Sequence, residues 1–236
     1  MNISLYPEFN EVFADNTLEG LFYPLCSVTL DKYPDSTFHF VSSNGLWIAE
    51  NYETKDNTFG YTLFDVEANK YKFNGDIRLY KGFETAKAIF EDLKLDFEKQ
   101  GKGYLETKMQ TADYIENQKR RLKLPTDGEL DADYYLQTFY EFSINRLNFE
   151  INNEFGAFRK VMDGWPKNEQ QSPVVYCETT DALNETLSQY DRPQMENIGT
   201  FEVIGKTVGF EFFTDGNDTV LFYNNADQVL CFNFYA

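Results

Sequence analysis

Residues Gly199–Phe213, GTFEVIGKTVGFEFF, decide between two classes of fold. Their "GKT" resembles the end of a phosphate-binding loop, which would place a strand, a glycine-rich turn and a helix here and make the chain a nucleotide-binding α/β protein. That loop needs Gly, four residues, then Gly-Lys-Ser/Thr. Here five residues separate Gly199 from Gly205, and Thr200 stands where the first glycine belongs. After the lysine, Val208, Phe210 and Phe212 alternate with period two, as Phe201 and Val203 do before it. Period two is a strand signal, so the stretch predicts a β-hairpin with Gly205-Lys206 at its tip and no nucleotide site.

Outward from this hairpin the same texture continues. TVLFYNN and QVLCFNFYA (219–225 and 228–236) read as further strands, with Asp215-Gly216 turning into the first of them. Strand segments also fill the N-terminal part: CSVTL (26–30), STFHFVS (36–42), LWIAEN (46–51) and FGYTLFDV (59–66), after a short helix within SLYPEFNEVFADN (4–16). Asn44-Gly45 predicts a hairpin turn between two of these, and Asn74-Gly75 marks another turn. TLFDVEANKYKFN (62–74) and VLFYNNADQVLCFN (220–233) share the order strand, polar turn, strand.

Between the two β-rich parts the period changes to that of a helix. Ala86, Phe90, Leu93 and Phe97 fall on one helical face, and Leu105, Met109, Ala112 and Ile115 on another, after a break at Gly101-Lys102-Gly103. A third helix, capped by Asp131 or Asp133, is expected through about Asn148, although the run Phe142 to Ile151 also has strand character. Further on, PVVYCE (173–178) reads as a strand and TDALNETLSQY (180–190) as a short helix. The expected fold class is α+β, with antiparallel β-meanders at both ends flanking a helical middle segment. It forms one domain over residues 1–236, or two subdomains: 1–81 β-rich, 82–124 a helical connector, and 125–236 α+β and strongly acidic.

Composition narrows function. With 23 Phe and 16 Tyr the chain has ample core-forming area, and its formal net charge is −18. The acidity is uneven: residues 125–236 carry 19 acidic and 6 basic side chains, whereas residues 81–124 carry 8 and 10. A field of this sign repels nucleic acid and anionic membrane and accelerates encounter with a basic protein. The start MNISLYPEFNEVF lacks a basic, then apolar leader, and no run of about 18 apolar residues occurs, so a cytoplasmic protein is expected. Cys26, Cys177 and Cys231 are widely spaced and suggest neither disulfides nor a zinc site.

No motif promises catalysis. His39 is the only histidine and reads as a strand residue; neither Gly-x-Ser-x-Gly nor an activated cysteine accompanies it. DGELDADY spaces Asp127, Glu129, Asp131 and Asp133 like a calcium loop, but Ala132 replaces the required glycine and Thr138 the bidentate glutamate. An acid-rich helix start is the simpler reading. Trp47 and Trp165 are either core residues or interface anchors. No cofactor, no metal and no catalytic residue is therefore expected.

Three segments, DGELDADYY (127–135), DGWPKN (163–168) and LFYNNADQVLCFNFYA (221–236), set in a small acidic chain dense in aromatics, resemble bacterial immunity proteins that neutralise toxins delivered between cells. The resemblance implies a non-enzymatic inhibitor that occludes the active site of a basic toxin. Acids and aromatics occur together at Asp127, Glu129, Asp131, Asp133, Tyr134 and Tyr135, which with Trp165 form the expected partner surface. The alternatives are a nucleic-acid-mimic inhibitor, a small-ligand module with an aromatic-lined cavity between meander and helices, and a hydrolase built on a carboxylate pair.

Overall fold

A computed structural model describes residues 1–58, 61–125, 128–156, 162, 173–175, 201–216, 218–224 and 227–233. Within them, β1 (Asn2–Leu5), β2 (Tyr23–Leu30) and β3 (Tyr33–Ser42) form one antiparallel sheet in that order. A second antiparallel sheet takes β4 (Tyr61–Glu67) and β5 (Lys70–Phe73) from the N-terminal part. Its other strands are β6 (Val174–Val175), β7 (Glu202–Thr207), β8 (Thr219–Asn224) and β9 (Gln228–Asn233), in the order β5-β4-β9-β8-β7-β6. Between the two β parts lie helices α2 (Phe83–Thr107), α3 (Thr111–Leu122) and α4 (Ala132–Asn152); a single turn, α1 (Phe9–Val12), precedes β2. The fold is α+β, with strands at both ends of a helical middle.

The two β parts are not independent meanders. β4 pairs with β9, Leu63 opposite Leu230, so a strand from before the helices closes onto the C-terminal hairpin. Alternation within β8 explains how that sheet is used: Leu221 faces the main core, while Val220 and Phe222 join Leu230 and Phe232 in a separate cluster on the opposite face. The first sheet packs on the main-core face, with Tyr223 against Phe38 (centroids 5.0 Å) and the Val41 carbonyl accepting from Cys231 Sγ at 3.4 Å.

α4 is the centre of the helical layer: Tyr135, Leu136, Tyr140 and Ile144 are fully buried, and Thr138, Glu141 and Asn145 are buried with them. It meets α3 through a Tyr114–Tyr140 stack at 4.2 Å and α2 through Phe90–Phe139 edge contact at 5.9 Å.

Four local expectations give way to the structure. Gly205-Lys206 is no hairpin tip; both residues lie inside β7, paired with Leu221 and Val220, and a register shift between Val203 and Gly205 leaves Ile204 as the extra residue. TVGFEFF is no strand beyond Thr207, because Asp218 Oδ1 accepts the Gly209 N–H at 2.6 Å and bends residues 209–211 into a 3-10 turn. Asn44-Gly45 does turn, with Gly45 at φ +90°, but LWIAEN leaves the sheet, and β3 instead pairs with β2 across Asp31-Lys32. α2 runs unbroken through Gly101 and Gly103; a side chain at Gly101 would lie 2.7 Å from the Phe97 ring, so this glycine makes room for packing, and the break comes at Lys108. The helix expected over 180–190 lies outside the described residues.

Candidate functional site

Asp131 is the residue that organises the acidic segment. It stands at the N-cap of α4, where Oδ1 accepts the Tyr134 backbone N–H at 3.1 Å, satisfying one of the donors a helix start leaves open. Its Oδ2 accepts the indole N–H of Trp47 at 3.0 Å. The Trp47 ring rests on Tyr134, centroids 5.0 Å apart, and the Tyr134 hydroxyl donates to Asn44 Oδ1 at 2.6 Å. Trp47 is nevertheless 44% exposed, between buried Leu46 and Ile48. It is an aromatic surface residue fixed from below and beside, in an acidic frame.

The other expected partner residues divide. Glu129 and Asp133 are exposed, and Asp133 pairs with Lys119 at 2.7 Å, a carboxylate contact that raises the lysine pKa. Tyr134 is half-buried. Tyr135 is buried, its hydroxyl donating to the Gly20 carbonyl at 2.8 Å, so it anchors the core and presents nothing to a partner. Asp127 and Trp165 lie outside the described residues. Trp47, which the sequence favours as a core residue over an anchor, is the aromatic that the structure brings to these acids. The turn at Asn44-Gly45 is the signal for it: the chain exits a strand there, and the next residues alternate buried, exposed, buried.

Replacing Asp131 by Ala removes both the cap and the indole bond. The expected cost is about 1 kcal/mol in chemical denaturation. An unchanged midpoint would show that neither contact contributes.

No family model, curated protein or solved structure matches the chain. The weight of the functional reading therefore rests on chemistry at named residues.

Two arrangements test the catalytic alternatives. Ser27 Oγ lies 2.7 Å from His39 Nδ1 across the β2–β3 ladder, and His39 Nε2 lies 2.8 Å from the Asn69 carbonyl. Nε2–H then donates to the carbonyl and Nδ1 accepts from the serine, the hydrogen bond a nucleophile would need. Both side chains are buried, and burial lowers the imidazole pKa. The pair forms a buried cross-strand polar contact between β2 and β3. The second arrangement is Glu141 on α4, buried, with Oε2 accepting the Thr214 N–H at 2.7 Å and Asp215 next to that threonine in the chain. Asp215 in turn accepts from Asn44 Nδ2 at 2.9 Å. These bonds tie the 209–216 segment to α4.

Cys26 and Cys231 are buried free thiols, and burial pushes Cys231 up to about 12, far from a reactive thiolate. Among the described residues no three His, Cys, Asp or Glu side chains are grouped to hold a metal ion, and no helix is long and apolar enough to cross a membrane. A cleft of about 430 Å³ opens between α2 and α4.

Proposed function

We propose that this chain is a non-catalytic binding protein of the immunity type, which engages a basic toxin and occludes its active site. The observation that carries the reading is Trp47: a half-exposed indole held by Asp131 and Tyr134, in a segment whose Glu129 and Asp133 are exposed on either side of Asp131 in the chain. Interface hot spots favour an aromatic whose geometry is set before binding, because less rotamer freedom is lost on association. The surrounding carboxylates and the −18 net charge supply the long-range attraction that speeds encounter with a basic surface.

The test uses two variants that leave the α4 cap alone. Trp47→Ala removes the anchor, and the double reversal Glu129→Lys with Asp133→Lys inverts the local field. Tagged wild type is used to capture proteins from lysate of its own host at low and moderate salt, and association with the retained protein is then followed by surface plasmon resonance. A single basic partner should be held, with Trp47→Ala weakening it by about thirtyfold or more, as for a hot-spot residue. The double reversal should slow association about tenfold, and added salt should narrow that difference. Capture of nothing at either salt, or affinity untouched by both variants, would remove this surface from the reading. Displacement of the partner by DNA would point instead to mimicry of nucleic acid.

A further inference from the structure

The cleft between α2 and α4 uses none of the residues around Trp47. One wall is Phe90 and Phe97 of α2, the other Phe139, Phe142 and Leu147 of α4. Its floor is the segment that enters β2, with Phe9, Phe22 and Tyr23. Gly20 keeps the floor low: at φ +85°, with the Phe90 ring 2.6 Å from where a Cβ would sit, no larger residue fits there without displacing that ring. Pro7 and Pro24 bring no N–H donors to the floor. The result is a space with aromatic side chains along its walls and floor and charged ones at its rim, of the size that takes a drug-sized molecule, for which about 300–1,000 Å³ is usual.

Charge at the mouth selects the ligand. Four carboxylates line the cleft against three cations, and two of those cations are committed. Arg146 bonds Glu8 through one terminal nitrogen and Glu150 through Nε at 2.8 Å. Lys94 pairs with Glu19 at 2.9 Å while lying 5.9 Å above the Phe90 ring. An incoming anion would have either to displace a carboxylate from its partner or to pair with Lys102 alone, one helical turn from the carboxylate of Glu98. An incoming cation displaces nothing, because Glu8 and Glu150 are more than half exposed and each carboxylate has acceptor positions beyond those the arginine fills. Ring faces add a second attraction for positive charge, and the field of an acidic chain adds a third.

We propose that this cleft binds a small amphipathic cation, an aromatic or alkyl amine, with its apolar body among the phenylalanines and its ammonium group at Glu8 and Glu150. Lys102, on the same rim, sets a limit: the ligand is a monoamine whose charge lies at one end, since a cation at both ends would meet that lysine.

Calorimetric titration of the full chain with a matched pair, phenylbutylamine and phenylbutyrate, separates charge from shape. The amine should bind one equivalent at least about tenfold more tightly than the acid, since about 1.4 kcal/mol distinguishes them at that ratio. Ser143→Trp, at a half-buried α4 position lining the cleft, should fill the space and abolish amine binding; Glu150→Gln, at the exposed rim, should weaken it severalfold with folding unaffected. Equal or reversed preference for the acid would overturn the assignment of charge. Absence of binding at millimolar amine, or affinity unmoved by Glu150→Gln, would overturn the site itself, whether or not the tryptophan variant folds.

Discussion

Glu141→Gln is expected to stabilise the protein by about 2 to 3 kcal/mol at about pH 8 and to change little at about pH 4. Glu141 is 2% exposed on α4, and burial, with Asp215 adding repulsion, pushes its pKa from the ordinary 4.5 to about 7. The bonds from Thr214 favour the charged form but do not cancel the desolvation. A carboxyl whose folded pKa is raised supports the fold fully below its unfolded pKa, and that support is lost as pH rises through the folded value. Wild type should therefore lose stability between about pH 5 and pH 8 through this one group. Glutamine keeps an acceptor for the Thr214 N–H and presents an amide towards Asp215 with no charge to bury. Chemical denaturation of both proteins across that window measures the effect as a difference curve. The difference is needed because His39, whose pKa burial lowers, loses stability in both proteins as pH falls through the ordinary imidazole range. Asp15 and Asp76, held below the usual carboxylate range by hydrogen bonds from Thr17 and Arg78, do the same at lower pH. Parallel curves for the two proteins would sink the assignment.

What the sequence makes legible follows from the range of each signal. The period-two and period-3.6 patterns are local, and they place most described strands and all three long helices; even Asp131 as the α4 cap is readable, because its bond spans three residues. Misreadings arise where a distant group overrides the local signal. Asp218 bends Gly209 away from the strand that Val208, Phe210 and Phe212 announce. The Asn44-Gly45 turn is real, but the bonds of Asn44 to Thr138 and Asp215, 94 and 171 residues away, lead the chain out of the sheet, and no hairpin motif contains them. Candidate sites are non-local for the same reason. Trp47 reaches Asp131 across 84 residues, and the α2–α4 cleft draws on three separate segments, so the acids and Tyr134 were legible while the pairing of Trp47 with them was not. Glu141 offered one clue, an acid set within the apolar run Phe139-Tyr140-Glu141-Phe142.

Phe64→Ala should have the largest effect on the fold itself, a loss of about 3 to 5 kcal/mol. Phe64 is fully buried on β4, and its ring meets Tyr71 at 5.3 Å, Phe22 at 5.6 Å and Phe13 at 5.8 Å. Those partners come from β5, from the segment entering β2 and from the turn after α1, while the backbone of Phe64 pairs with Val229 on β9. One side chain thus joins the chain's first segments to the hairpin near its end, and a ring lost here leaves a cavity that rigid aromatic neighbours cannot collapse to fill. The loss is a large part of the 5–15 kcal/mol that typically holds a folded domain. Because β4 is the link between the two β parts, the variant should also report how they cooperate. If the sheets unfold as one unit, the denaturation midpoint falls while the slope with denaturant is kept, and far-ultraviolet and aromatic signals change together. A smaller slope with separated signals would mean that the first sheet and the helices survive when the β4–β9 closure is lost, so that the six-stranded sheet is stabilised separately.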